Sequence, residues 1–365
     1  MKVLQTLTHL NIGGITTYAY TLTKYLLRNK ISVGIASSGG SWEEKFQKLG
    51  AKVFRININT KCEISPKLGL SIYQLYKIKK EFNFQIIHSH TRVAQLLSQI
   101  FSKLSGVPHI ANFHGFYPKN KLRWGRKIFK AQGERSIAIT PEVKNDLINI
   151  FGADKNKVKV IISGIDLERL EEKGLSMRLN GYPKIGSSGR LSEVKGFKYL
   201  LMSMPLILKK YPHAYLYILG KGKEEQNLLN LAEKLGIAER FKIIKNTELS
   251  CFLKAVDIFC LPSQEEPFGL SVAEAQYFGL PCIVSEIGGL KILVSHLNTG
   301  VLVPRENSEK IAQAVNMLME NPSLRSKISK NSRKQVIEKF DFSKKVMKFI
   351  EIYQEVLNLE FPQNS

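Results

Sequence analysis

The chain has 365 residues, 44% of them hydrophobic, which is enough for about two packed cores and argues against wholesale disorder. Its four cysteines, Cys62, Cys251, Cys260 and Cys282, are scattered, with no CxxC and no His/Cys cluster at ligand spacing, so a disulfide scaffold and a structural zinc site are not expected. The net charge of +23 is uneven, with 26 Lys and Arg against 8 Asp and Glu in residues 1–165 and 28 against 23 in the rest.

Short apolar runs alternate with longer amphipathic stretches, the pattern of a parallel, doubly wound sheet. KVLQTL reads as a strand, then the Gly13-Gly14 turn and a helix over ITTYAYTLTKYLLRN. Strand SVGIAS, helix WEEKFQKLG, strand AKVFRI, a helix near Ile72–Phe82 and strand QIIHSH come next. A helix near Ala94–Ser105, strands HIANFHG and RSIAIT, a helix from Pro141 and strand KVKVIIS complete a first domain, residues 1–165. SGIDLERLEEKGLSMRLNGYP is polar and punctuated by Gly and Pro, which predicts a linker at 166–183.

A second domain, residues 184–338, restarts the pattern with KIGSSGRL, the helix GFKYLLMSMPLILKKY and the strand AYLYILGKG. FKIIKN, the helix LSCFLKAV, the strand DIFCLPS, a helix from about Leu270 and PCIVSE follow. An amphipathic helix within residues 339–365 is expected to pack back toward the first domain. The fold class is therefore α/β, with two Rossmann-like doubly wound domains facing a central cleft. The first residues, MKVLQTLTHLNIGG, read as a strand and glycines rather than a signal peptide. No run approaches the roughly 18 apolar residues of a membrane span. A cytoplasmic protein is expected, at most peripheral on the inner face of the cell membrane.

The most informative segment is Pro262-Ser263-Gln264-Glu265-Glu266-Pro267-Phe268-Gly269-Leu270-Ser271-Val272-Ala273-Glu274-Ala275. It follows an apolar strand, so it lies at the carboxyl edge of a sheet, where α/β folds bind ligands. Glu266 falls in a loop and Glu274 early in the next helix. Carboxylates accept charge-assisted hydrogen bonds from vicinal hydroxyls. The N–H groups of Phe268, Gly269, Leu270 and Ser271, at a helix start, suit a phosphate. Two surface glutamates on a plain strand–loop–helix would have the same local pattern. Arg190 and Lys195 share a Gly-flanked turn after a strand, where two fixed cations would stabilise a diphosphate as its charge develops. Gly13 and Gly14 would let backbone approach a ligand closely, or make a plain tight turn. His114 ends a strand, with His88 and His90 on another.

EPFGLSVAEA followed by FGLPCIVSEIGG resembles the signature of the retaining family 4 glycosyltransferases with a GT-B fold, a Glu, seven residues, then a Glu. GGITTYAYTLTKYL, IIHSH, NFHG, VKVIISGID, GRLSEVKG, ILGKG and DIFCLPS resemble further motifs of that family in the same order, over nearly the whole chain. The resemblance implies that Glu266 binds donor-sugar hydroxyls and Glu274 the ribose. It places Arg190 and Lys195 on the donor diphosphate, with Gly14, Phe268, Gly269 and Leu270 around it, and His114 near the transferred sugar. It implies retention at the anomeric carbon, with a nucleoside diphosphate sugar as substrate and no cofactor. The absence of a DxD motif fits transfer without a metal. The chain departs from the family pattern at Ile292, at Ser163 and at Ile244-Lys245-Asn246.

Phe116–Ala131, FYPKNKLRWGRKIFKA, carries six cations and no acid, interleaved with aromatic and aliphatic side chains. Lys121, Arg123, Arg126 and Lys127 could meet an anionic membrane or clamp a phosphorylated acceptor, or form a solvated basic helix. The expected activity is sugar transfer to a lipid-linked or cell-surface glycan, as in lipopolysaccharide or other cell-envelope synthesis. A nucleotide-sugar epimerase or hydrolase on the same scaffold is the alternative. A basic nucleic-acid-binding protein is a third reading, but no known motif for it is present and no nucleic-acid partner is expected.

Overall fold

The computed structural model describes residues 1–60, 62–63, 65–116, 130–171 and 176–360. The chain divides into two units, Met1–Ser163 with Phe342–Ser365, and Gly164–Asp341.

The first unit holds β1 (Lys2–Thr6), β2 (Ser32–Ser37), β3 (Lys52–Arg55), β4 (Ile86–Ser89), β5 (His109–Phe113), β6 (Arg135–Ala138) and β7 (Val158–Val160). They form one parallel sheet in the order β3-β2-β1-β4-β5-β6-β7. A parallel sheet has both faces covered, so its strands read as unbroken apolar runs. Consistently, all of β4 and β5 is buried. Helices Gly14–Arg28, Lys67–Phe82 and Arg92–Ser105 supply the covering faces, and Leu75, Phe82, Phe84, Leu97 and Phe101 share one core. The second of these helices starts at Lys67 rather than near Ile72, because Pro66 (φ −54°) presets the entry.

The chain returns to this unit at its C-terminal end. A short 3₁₀ turn, Phe342–Lys345, leads into the helix Val346–Glu360. Phe342, Phe349 and Tyr353 are buried there; the Phe342 ring meets Tyr18 edge-on at 5.2 Å and stacks on Phe349 at 6.0 Å. Arg135 Nη2 pairs with Glu355 at 2.6 Å on the same helix.

The second unit holds β8 (Lys184–Ser188), β9 (Tyr215–Leu219), β10 (Phe241–Ile244), β11 (Ile258–Leu261), β12 (Cys282–Ser285) and β13 (Val301–Val303). Their order is β10-β9-β8-β11-β12-β13, again parallel. Helices Glu225–Lys234, Ser308–Glu320 and Pro322–Lys339, and strand β13, lie where the sequence pattern was not read as regular structure. Asn307 and Asn321 cap two of these helices, accepting from Lys310 N and Leu324 N.

The stretch expected as a linker, 166–183, is part of the second unit. It contains the helical turn Leu167–Glu171, and Asn180 is bonded through both backbone groups to the Tyr217 hydroxyl at 3.1 and 3.0 Å. The polar composition reflects a surface turn packed on its own sheet. The strand order reverses between β1 and β4 in one sheet and between β8 and β11 in the other. Open α/β sheets bind ligands at such points, beyond the carboxyl ends of the strands.

Candidate active site

In the second unit the β8–β11 reversal brings together the two motifs singled out in the sequence. The chain leaves β8 into the turn Gly189–Gly196, and leaves β11 into the loop Pro262–Gly269. Gly196 lets these two approach: its φ is +65°, and a Cβ there would stand 2.0 Å from the Pro262 carbonyl oxygen. Gln264 N donates to Val194 O at 2.7 Å, which ties the turn to the loop. Across this seam Lys195 Nζ meets Glu266 Oε2 at 2.5 Å, and the Ser263 hydroxyl donates to the same oxygen at 3.5 Å. Glu266 is buried, and Gly289 N donates to its backbone carbonyl at 3.1 Å. Arg190 is exposed, with no side-chain partner among the described residues.

Gly269 caps the helix Leu270–Tyr277 in the left-handed region (φ 97°), where a Cβ would stand 2.6 Å from Leu290 Cδ2. Phe268 is buried against the Phe340 ring at 5.7 Å, so its side chain belongs to the core and only its backbone is left for a ligand. One turn into the helix, Glu274 is buried and paired with the Arg169 guanidinium. Burial raises its carboxyl above the ordinary carboxylate range, and Arg169 pulls it back. Sequence reasoning missed Arg169, which lies in the stretch read as linker. The site therefore holds two carboxylates, each matched to one cation, and Arg190, unpaired among the described residues, lies on the same turn as Lys195.

Gly14 belongs to the first unit and begins the helix Gly14–Arg28. Gly13 precedes it in extended backbone (φ 165°), and a Cβ there would meet nothing within 4 Å. His88 lies within β4, His90 and His114 just beyond the carboxyl ends of β4 and β5, and His109 at the amino end of β5. His90 Nδ1 and Asn112 Nδ2 lie 3.2 and 3.1 Å from His114 Nε2. His88 Nδ1 is 2.8 Å from the Tyr353 hydroxyl, and His109 Nε2 is 2.7 Å from Ser89 Oγ. Burial pushes His88, His109 and His114 down to about 3 and His90 well below its ordinary value, so all four imidazoles are neutral. Asn112, Tyr18 and Tyr353 had no sequence signal beyond being polar or aromatic residues in apolar runs. Lys121, Arg123, Arg126 and Lys127 lie outside the described residues. Among the described residues no group of three or more His, Cys, Asp or Glu could hold a metal ion, and no helix is long and apolar enough to cross a membrane.

Two doubly wound parallel sheets, one carrying a carboxylate-and-cation site at its reversal point, define the GT-B class of α/β glycosyltransferases. Residues 12–169 match the family described as Glycosyltransferase Family 4, and residues 153–335 that described as Glycosyl transferases group 1. An uncharacterized glycosyltransferase of Haemophilus influenzae is 38% identical over 333 residues, 88% of this chain and 91% of that one. The chain belongs to these glycosyltransferases and is itself a glycosyltransferase. The UDP-Gal:alpha-D-GlcNAc-diphosphoundecaprenol alpha-1,3-galactosyltransferase of Escherichia coli is 29% identical, over 79% of each chain. Among solved structures, Anabaena Alr3699/HepE in complex with UDP superposes with a TM-score of 0.82 at 20% identity, over 97% of this chain and 100% of that one. A glycosyltransferase from Rickettsia africae superposes at 0.81 with 23% identity, over 100% of this chain and 99% of that one.

Proposed function

We propose that the protein moves a hexose from a UDP-sugar to a lipid-linked or cell-surface glycan acceptor, retaining the anomeric configuration and using no metal ion. The observation that carries this reading is the Lys195–Glu266 pair at the β8–β11 reversal point, on whose turn Arg190 is unpaired among the described residues. Two cations there suit a diphosphate, and a carboxylate one hydrogen bond away suits sugar hydroxyls. The buried Glu274–Arg169 pair, a helical turn farther on, suits a ribose. The Escherichia coli relative, named for a UDP-Gal donor and a diphosphoundecaprenol acceptor, supports the choice of UDP and of a lipid-linked acceptor. Anabaena HepE, solved with UDP-glucose, supports the donor class.

In this reading the bond from the anomeric carbon to the leaving diphosphate oxygen breaks. The bond to the acceptor oxygen forms on the same face of the sugar, and the acceptor hydroxyl proton passes to the leaving diphosphate. Arg190 and Lys195 stabilise the charge that develops on that diphosphate. Lys195 exchanges its ion pair with Glu266 for the donor phosphate, which frees Glu266 to accept from sugar hydroxyls. Thermal shifts with UDP-, GDP- and ADP-sugars test the donor, and stabilisation by UDP-hexoses above the others is expected. No stabilisation by any of them would refute the proposal. Activity should survive EDTA; complete loss restored by manganese or magnesium would overturn the metal-free account. Product analysis with and without acceptor separates transfer from epimerisation or hydrolysis.

A further inference from the structure

Arg169 and Glu274 meet entirely within the second unit. A Cβ at Gly269, which starts the helix Leu270–Tyr277, would stand 3.6 Å from Glu266 Cγ, so Glu266 packs against the start of the helix that carries Glu274. The helical turn Leu167–Glu171 meets that helix through two side chains. Glu171 Oε1 accepts from the Tyr277 hydroxyl at 2.7 Å, and Arg169 Nη2 donates to Glu274 Oε1. Arg169 N in turn donates to Asp166 Oδ1 at 3.4 Å, which fixes the turn from which the guanidinium reaches.

The pair does not look built for stability. The Tyr277–Glu171 bond already ties the turn to the helix, and a buried ion pair contributes little beyond what apolar side chains of its size would give. Arginine and a carboxylate close best as a fork, with two parallel N–H···O bonds. Here the contact runs through one oxygen. Arg169 Nε is a buried donor without a partner, and Glu274 Oε2 has no partner among the described residues. The carboxylate is thus turned off the fork, with one oxygen held and the other left open.

We infer that Arg169 is a positioning residue for the nucleotide: it holds Glu274 by Oε1, ionised, so that Oε2 is presented as the acceptor for the vicinal hydroxyls of the ribose. This rests on the proposed reading of Glu274 as the ribose carboxylate. Burial favours the neutral form of Glu274, and Arg169 opposes it. A neutral carboxyl would carry a proton on one oxygen and be free to turn. The cation therefore sets both the charge and the direction of the acceptor without touching the ligand. It follows that Arg169 controls the preference for nucleotides bearing both ribose hydroxyls, while Arg190 and Lys195 serve every diphosphate alike.

The experiment compares the affinity of the full chain for UDP and for 2′,3′-dideoxy-UDP, which keeps the base and the diphosphate but lacks both hydroxyls. The wild type should prefer UDP at least about tenfold, the scale of one charged hydrogen bond. Arg169→Gln should bring the two affinities together by weakening UDP and leaving dideoxy-UDP as in the wild type. Arg169→Lys, which keeps the cation, should recover part of the preference. Full preference in Arg169→Gln would overturn the inference and leave Glu274 on the ribose. Equal weakening of both nucleotides would make Arg169 merely structural, and overturn it too. A wild type that bound both nucleotides equally, or neither, would remove the ribose reading itself, and the inference with it. Should Arg169→Gln fail to fold, a crystal structure of the wild type with UDP decides. Arg169 on Glu274 Oε1 with a ribose hydroxyl on Oε2 is expected; Arg169 drawn off Glu274 would overturn the inference, and a ribose away from both oxygens would remove the reading beneath it.

Discussion

Single side chains in the second unit divide by whether they are already paired. Arg190 is exposed and unpaired among the described residues, so Arg190→Ala should leave the melting temperature almost unchanged. Lys195→Ala should lower it, because the buried Glu266 loses its counter-ion. Both variants should weaken UDP binding, by roughly 1.5–3 kcal/mol for each lost charged hydrogen bond. Titration calorimetry reads this directly, and unchanged affinity for every nucleoside diphosphate would remove the pair from the site. Glu274 and Arg169 form a second test. Arg169→Met strands a buried carboxylate and should cost about 3–5 kcal/mol, most of it recovered when Glu274→Leu is added. Glu274→Gln should impair binding of free UDP, while Glu266→Gln should spare it and damage transfer. Equal losses from both would refute the division between ribose and sugar. The glutamates were legible because loop, glycine and helix lie within one short segment. Arg169 was not, since its partner is 105 residues away and no local spacing records the meeting.

At the scale of strands and helices, legibility followed burial. Strands of a parallel sheet are buried on both faces, so short buried runs with an apolar centre, as in β1, β4, β8 and β11, were plain in the sequence even where polar residues end them. Helix Glu225–Lys234 was missed because it buries only Leu228 and Ala232, too few for a visible period. The joining of β4 to the C-terminal helix, His88 to Tyr353, spans 265 residues and could not be read locally. That junction gives the elements a shared response to acid. His88, His109 and His114 sit near 3 in the folded chain, against an ordinary value of 6.5, and His90 is also lowered. The unfolded chain therefore binds the extra protons, and stability falls as pH drops through 6.5 toward 3. Each such histidine costs about 1.4 kcal/mol per pH unit inside that window. Unfolding of the first unit in urea should take up more than one proton between pH 7 and 5. His109→Gln, away from the proposed ligand, should remove one of them. A midpoint flat across that range would show that the cluster is hydrated or already charged.

Over the whole molecule the charge is the largest feature not explained by the donor site. Residues 1–165 carry 26 cations against 8 acids, and a diphosphate in the second unit needs none of them. An anionic membrane would use those that share one face, since each Lys or Arg near such a surface contributes about 1 kcal/mol. The described residues offer a second face besides the basic stretch around Trp124. On the helix Lys67–Phe82, Leu70 and Tyr73 are 49% and 57% exposed, and Lys67, Lys77 and Lys80 are exposed on the same stripe. Lys77 Nζ lies 4.7 Å from the centroid of the Tyr73 ring, so cation and apolar surface are presented together. Such a face suits the boundary of a lipid headgroup layer. Binding to anionic vesicles, reversed by salt, and little binding to neutral ones are therefore expected. Replacing Lys121, Arg123, Arg126 and Lys127 with Ser should weaken it through charge, and replacing Leu70 and Tyr73 with Ser should weaken it through lost apolar contact. The two losses should differ in salt dependence, the first variant retaining a shallower slope than the second. UDP affinity should be untouched in both, because neither variant changes Arg190, Lys195 or Glu274, the groups proposed for the nucleotide. If both variants bound anionic vesicles as the wild type does, the surplus charge would be solvated surface and these two faces would have no part in membrane binding.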